Sequence, residues 1–104
     1  MHWGYRFPDM KVTLHTILGI KEVTGQRLTE IELPHGSTIE SLLAYMRERW
    51  GQGLSTRLFH PESGAVLPYV RIMVNGQAID FLEGMETPLK EGDEVLILPP
   101  VSGG

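Results

Sequence analysis

A chain of 104 residues, 41% apolar and 21% charged, has the size and composition of one small globular domain. Its net charge of −4 argues against nucleic acid or an anionic membrane as partner, because both select for a basic patch. No uninterrupted apolar run exceeds five residues, so a membrane-spanning helix is excluded, and the lack of cysteine removes disulfides, zinc–thiolate sites and thiol catalysis.

Residues 1–9, MHWGYRFPD, read as an N-terminal extension. Trp3, Tyr5 and Phe7 alternate before Pro8-Asp9 breaks the run, which fits either a disordered leader or an aromatic arm. No signal-peptide core precedes the domain, and the expected compartment is the cytoplasm. From Lys11, Val12, Leu14, Thr16 and Leu18 recur with period two and predict a first strand. Gly25 marks a turn. In RLTEIEL, Thr29, Ile31 and Leu33 share one face and Leu28, Glu30 and Glu32 the other, predicting a second strand paired antiparallel with the first in a hairpin.

PHGSTIESLLAYMRERWG predicts an amphipathic helix. Ser37 or Thr38 caps it, and Ser37 to Glu40 has capping-box spacing. Ile39, Leu42, Leu43, Met46 and Trp50 form the buried stripe, while Gly51 and Gly53 end the helix. LSTRLFH follows as a short helix with Leu54, Leu58 and Phe59 inward, then PESGAVLP as a surface loop or weak edge hairpin. YVRIMV is a strand with Val70, Ile72 and Val74 on one face, and Asn75-Gly76 is a tight turn. A turn-rich connector and the Glu91-Gly92-Asp93 turn lead to the last strand, residues 94–98. One helix across a mixed sheet of four or five strands, with the last strand parallel to the first, is an α+β layer arrangement, the β-grasp or ubiquitin-like fold. The domain is expected over residues 10–98, with 99–104 as a flexible tail.

His2, His15, His35 and His60 lack metal-ligand spacing and read as surface or strand residues. No dinucleotide-binding, Walker or nucleophile-elbow motif occurs, which turns attention to the tail LPPVSGG. Pro99 and Pro100 cannot donate to a sheet ladder and stiffen the exit. The six residues from Pro99 to Gly104 reach at most about 20 Å. Gly103 and Gly104, without Cβ atoms, fit a channel too narrow for other residues. A terminal carboxylate is a poor electrophile; ATP activates it as an acyl-adenylate, which a sulfur nucleophile or an amine can attack. The competing reading is a short, featureless tail.

The segments MKVTL, ELPHGSTIESLLAYM and VRIMVNGQAIDFLEGMETPLKEGDEVLILPPVSGG change that balance. From Met10 to Gly104 the chain resembles the MoaD/ThiS ubiquitin-like sulfur carriers, through a VNG turn, a Phe81-Leu82 pair, a TPLKEGDEV turn and PPVSGG in order. The resemblance implies that an E1-like enzyme adenylates Gly104 with ATP, and that a sulfurtransferase step replaces AMP to leave a thiocarboxylate. The resemblance also implies a chain that binds no cofactor or metal itself and is not an enzyme alone. LPPVSGG is most similar to molybdopterin synthase small subunits, whose tails enter the large subunit and supply the dithiolene sulfurs. Gly103 would then thread the channel, and Leu96, Leu98, Pro99, Pro100, Val101 and Ser102 would contact partners. Leu98 matches an apolar docking patch in that branch; the alternative is that Leu96 and Leu98 are buried under the helix. Thr16-Ile17 departs from the branch, which often has an aromatic pair there, and TILGIKEVTG looks more like carriers serving cysteine biosynthesis. Carriage for cysteine or thiamine, a ubiquitin-like protein modifier and a plain β-grasp binding module remain as rival readings.

Overall fold

The computed structural model of the chain describes residues 9–99. Residues 1–8 and 100–104, with the expectations attached to them, lie outside the described residues; Asp9, grouped above with the extension, begins the first strand.

In β1 (Asp9–Thr16), Met10, Val12, Leu14 and Thr16 point into the core. The alternation ends there. Instead of continuing as a strand to Leu18, the chain enters a short helix, α1 (Leu18–Thr24), and Leu18 is exposed. Ile17, Ile20 and Val23 recur every three residues; Ile20 is fully buried and Val23 packs on the core, so a helical face outcompetes the strand period. The buried Thr16 hydroxyl donates to the Gln26 carbonyl at 3.0 Å and lies 3.1 Å from Thr24 Oγ1, tying the end of α1 back to the strand. Gly25 is the expected turn, as the left-handed cap of α1. In β2 (Leu28–Pro34), Thr29, Ile31 and Leu33 are buried as expected, and β2 pairs antiparallel with β1 from Asp9↔Pro34 to His15↔Leu28.

Helix α2 (Ile39–Leu58) starts on Thr38 rather than Ser37. Thr38 Oγ1 accepts the Ser41 N–H at 3.3 Å and Ser41 Oγ accepts the Thr38 N–H at 3.0 Å, a reciprocal box with serine where Glu40 was expected to serve. Ser37 is buried one residue earlier, its carbonyl accepting the Leu89 N–H at 2.9 Å. Ile39, Leu42, Leu43 and Met46 are buried, and Trp50 packs at the margin of the core. The helix kinks at Gly51 (φ 57°, ψ −135°) and resumes, so Gly51 breaks the first segment while Gly53 sits inside the second. Only glycine adopts that backbone geometry readily. Gly53 instead faces α1, where an added Cβ would lie 3.4 Å from Val23 Cγ1. Leu54, Leu58 and Phe59 complete the inward face as expected. An antiparallel bridge, Phe59↔Val66, then closes the 60–65 loop as a weak hairpin.

Strands β3 (Arg71–Val74) and β4 (Gln77–Ala78) are joined by Asn75-Gly76, both at positive φ (50° and 86°), the geometry of a type I′ turn. Two 3₁₀ turns, Ile79–Phe81 and Gly84–Glu86, lead to β5 (Glu94–Leu98). The sheet order is β2-β1-β5-β3-β4, with β5 parallel to β1 and antiparallel to β3. One sheet face carries α2 and the core; the other is open. This is the expected β-grasp.

Candidate functional site at the exit of the last strand

The site begins with β5. Val95 and Ile97 are fully buried against the helix side, whereas Leu96 and Leu98 are half-buried and belong to the opposite, open face. Period-two geometry dictates this division once Val95 is in the core. The alternative that both leucines lie beneath the helix therefore falls away. Pro99, also half-buried, is the last described residue, and Pro100, Val101, Ser102, Gly103 and Gly104 lie outside the described residues.

Two long-range devices hold β5 in place. Asn75 Nδ2 donates to Asp93 Oδ1 at 2.9 Å and Asn75 Oδ1 accepts the Glu94 N–H at 2.9 Å. Asp93 Oδ2 accepts the Lys90 N–H at 2.8 Å. The β3–β4 turn and the turn before β5 are thereby clamped together. On the other side the Gly92 N–H donates to the Lys11 carbonyl (2.8 Å) and the Thr13 N–H to the Asp93 carbonyl (2.9 Å). Register at the start of β5 sets where Leu98 and Pro99 leave the sheet.

Cross-strand pairing brings further residues to the open face. His15 lies beside Leu96 on one side, Met73 beside Leu96 on the other, and Leu28 beside His15. The row Leu28, His15, Leu96, Met73 thus crosses four strands. Arg71 is opposite Leu98 at the root of the tail. His15 Nε2 is 3.4 Å from Glu94 Oε1 without forming a hydrogen bond, so attraction there requires a protonated imidazole. The sequence reading missed the roles of Arg71 and Met73, although their alternation with Val70, Ile72 and Val74 already placed them on the opposite face. His35 and His60 are exposed, and among the described residues no three His, Asp or Glu side chains converge as a metal site. No helix among the described residues is long and apolar enough to cross a membrane.

A β-grasp domain whose central strand is followed in sequence by Pro-Pro and a Gly-Gly end has the form of a small ubiquitin-like carrier or modifier. The chain belongs to the ThiS family, whose model matches residues 19–104. It is similar to small archaeal modifier protein 3 of Haloferax volcanii, with 34% identity over 91% of this chain and 100% of that protein. It is 36% identical to the sulfur carrier protein CysO of Mycobacterium tuberculosis over 66% of this chain and 74% of that one. A solved structure from Pyrococcus furiosus named molybdopterin converting factor, subunit 1 superposes with a TM-score of 0.69 at 28% identity, covering 88% of this chain and 99% of that one.

Proposed function

We propose that the Gly104 carboxylate is the reacting group of a sulfur carrier. An adenylating enzyme joins it to AMP with release of pyrophosphate. The terminal sulfur of a sulfurtransferase persulfide then displaces AMP to give an acyl disulfide, a second thiol of the partner enzymes cleaves its S–S bond and leaves as a disulfide, and the resulting thiocarboxylate gives its sulfur to an acceptor enzyme. The observation that carries this reading is the placement of β5: held between β1 and β3, it ends at Leu98, with Pro99 outside the ladder and five residues of sequence to follow. The remaining five residues, 100–104, extend at most about 17 Å, enough to enter a partner's active site from a domain docked outside it. Gly103 passes the narrowest part of that path, and Pro99, Pro100, Val101 and Ser102 line its approach. Leu96 and Leu98 supply apolar surface beside the tail.

The proposed recipient is molybdopterin synthase, with this chain as the small subunit supplying dithiolene sulfur. The PPVSGG tail and the likeness to the Pyrococcus protein support that assignment. A second reading, donation to cysteine synthesis, is favoured by the CysO relative and by Thr16-Ile17 in place of an aromatic pair; Thr16 faces the core and adds nothing to the open face. The full-length likeness to an archaeal modifier also supports attack on activated Gly104 by a protein lysine.

ATP–pyrophosphate exchange with the cognate adenylating enzyme tests the carboxylate. One residue added after Gly104 displaces it by about 3.5 Å, and exchange is expected to vanish while the fold persists. Normal exchange by the extended chain would refute the proposal. Gly103→Val, which adds a β-branched side chain, is expected to impair sulfur transfer with no loss of folding; wild-type transfer would reduce Gly103 to a spacer. Presenting the thiocarboxylated chain to a molybdopterin synthase large subunit with its pterin precursor, and to a cysteine synthase with an activated serine, separates the recipients. Dithiolene product supports the first assignment, and a cysteinyl adduct on Gly104 without pterin product supports the second. High-mass conjugates in place of an intact mass with one oxygen replaced by sulfur would move the chain to the modifiers.

A further inference from the structure

The end of the sheet at which β1 begins carries a depression that the tail chemistry does not use. It is lined by apolar Leu82, Val74 and Pro88 and by polar Asn75, Glu83 and Lys90. Leu82 is one of five large apolar side chains exposed among the described residues. At about 270 Å³ the depression falls below the usual range of small-molecule sites and suits a single large side chain.

The chain upstream of β1, MHWGYRFP, is tethered close to it. The Gly92 N–H donates to the Lys11 carbonyl at 2.8 Å, and the Lys11 N–H to Glu91 Oε1 at 2.9 Å. Asp9 is two residues before Lys11, and Asp93, which also lines the depression, is one residue after Gly92. Asp9 and the depression are therefore within about 15 Å of each other. Phe7, two residues from Asp9, spans at most about 7 Å, whereas Tyr5, four residues away, spans about 14 Å and adds the length of its ring. The larger groove around Tyr69, Arg71 and Phe81 is farther away. Arg71 pairs with Leu98, one residue past the Thr16–Ile97 pair, and Thr16 lies seven residues or about 23 Å along β1 from Asp9.

We propose that the N-terminal arm of the same chain covers this depression, with the Tyr5 ring against Leu82 and Arg6 facing Glu83. Charge complementarity supports this occupant. Residues 79–94 hold six carboxylates (Asp80, Glu83, Glu86, Glu91, Asp93 and Glu94) and one cation, Lys90, while residues 1–8 hold Arg6 and no carboxylate. Glu83 is exposed and has no ion-pair partner among the described residues. A tyrosine suits the mixed lining, because its ring buries against apolar atoms while its hydroxyl reaches a polar group at the margin. The arm then screens the Asn75–Asp93 clamp from water and steadies the turn from which β5 departs. Its site is at the opposite end of β5 from Leu98 and Pro99, so the tail is left unobstructed.

A double-mutant cycle on the full chain tests the arm. Tyr5→Ser and Leu82→Ser are each expected to lower Tm by about 4 °C or more, and the double variant to fall no further than the lower single variant. Phe81→Ser, in the larger groove, is the control, and its effect should add to that of Tyr5→Ser. Nuclear Overhauser contacts between the Tyr5 ring and the Leu82 methyls are expected in the monomer. Arg6→Glu should lower Tm at low salt, with recovery when Glu83→Arg is added. An unchanged Tm in Tyr5→Ser, or additive losses with Leu82→Ser, overturns the docking. Contacts that arise only in a dimer, separated by sedimentation, overturn the same-chain assignment in favour of arm exchange between two copies. Failed recovery with Glu83→Arg overturns the Arg6–Glu83 pairing.

Discussion

Asn75 connects two turns that are 18 residues apart in the chain, and it does so from a left-handed backbone (φ 50°) that asparagine tolerates better than most residues. Asn75→Ala removes both side-chain bonds, leaves the buried Asp93 without one partner and keeps the strained φ. The expected cost is about 2–3 kcal/mol, read as a lower urea midpoint with an unchanged m-value. Asn75→Gly should recover part of that loss, because glycine accepts the backbone but cannot restore the bonds. Gly51 poses the complementary case. Its φ of 57° with ψ of −135° has no comfortable L-residue equivalent, and nothing lies within 4 Å of a Cβ built there. Gly51→Ala is therefore destabilising through the backbone and not through a clash, by about 1–3 kcal/mol. Sequence reading recognised the Asn75-Gly76 turn and Gly51 as a helix breaker. It could not see the Asn75–Asp93 clamp, because no local period links residues brought together only by sheet pairing.

β5 shows how one element serves two purposes. Its inward residues, Val95 and Ile97, lie in the centre of the core, and its outward residues, Leu96 and Leu98, border the tail root. Ile97→Ala is expected to cost about 2–5 kcal/mol, the range for truncating a buried aliphatic side chain. Leu98→Glu should cost about 1 kcal/mol or less in stability while weakening association with the tail-receiving enzyme, measured by calorimetric titration. Collapse of the fold in Leu98→Glu, with no separable binding defect, would assign Leu98 to the core. At the other end of the crossover, Thr38 and Ser41 cap α2 reciprocally, and Thr38→Ala is expected to lower stability by about 1 kcal/mol in thermal unfolding. The sequence allowed either Ser37 or Thr38 as cap. The choice fell to Thr38 because Ser37 is buried one step earlier, paired through its carbonyl with the connector at Leu89. α1 escaped the reading for a related reason: Leu18 continues the strand alternation in sequence, while Ile17, Ile20 and Val23 follow a competing period of three.

At the scale of the whole molecule, the core and the proposed reacting carboxylate of Gly104 belong to different parts of the chain. Among the described residues the buried apolar core runs from Met10 to Ile97. Truncation after Pro99 is accordingly expected to leave Tm within about a degree or two, in line with the small effects of changes remote from packed features, while pyrophosphate exchange disappears. A large drop in Tm on truncation would show that the tail also braces the domain. The α1 insertion makes the β1–β2 connection bulkier than a tight hairpin and packs it against the second segment of α2, where an added Cβ on Gly19 would come within 2.9 Å of Arg57 Nε. That packing leaves the Leu18 side chain exposed at the start of α1.

The sequence alone determined the faces of the strands and of the main helix, the Asn75-Gly76 turn, and the order of the main strands and helix α2, and hence the β-grasp, because these depend on periods of two or 3.6 and on residues a few positions apart. It also singled out Gly103 and Gly104, since two adjacent residues without Cβ atoms are visible without any fold. Only the tertiary structure decided that Leu96 shares a row with His15 and Met73 and that Arg71 stands beside Leu98. Those neighbours come from segments well apart in the chain, Met73 and Leu96 by 23 residues and His15 and Leu96 by 81, and their meeting follows from the crossover that brings β5 between β1 and β3. Sheet pairing of this kind is set by the packing of α2 over the core, a long-range consequence that no local pattern encodes.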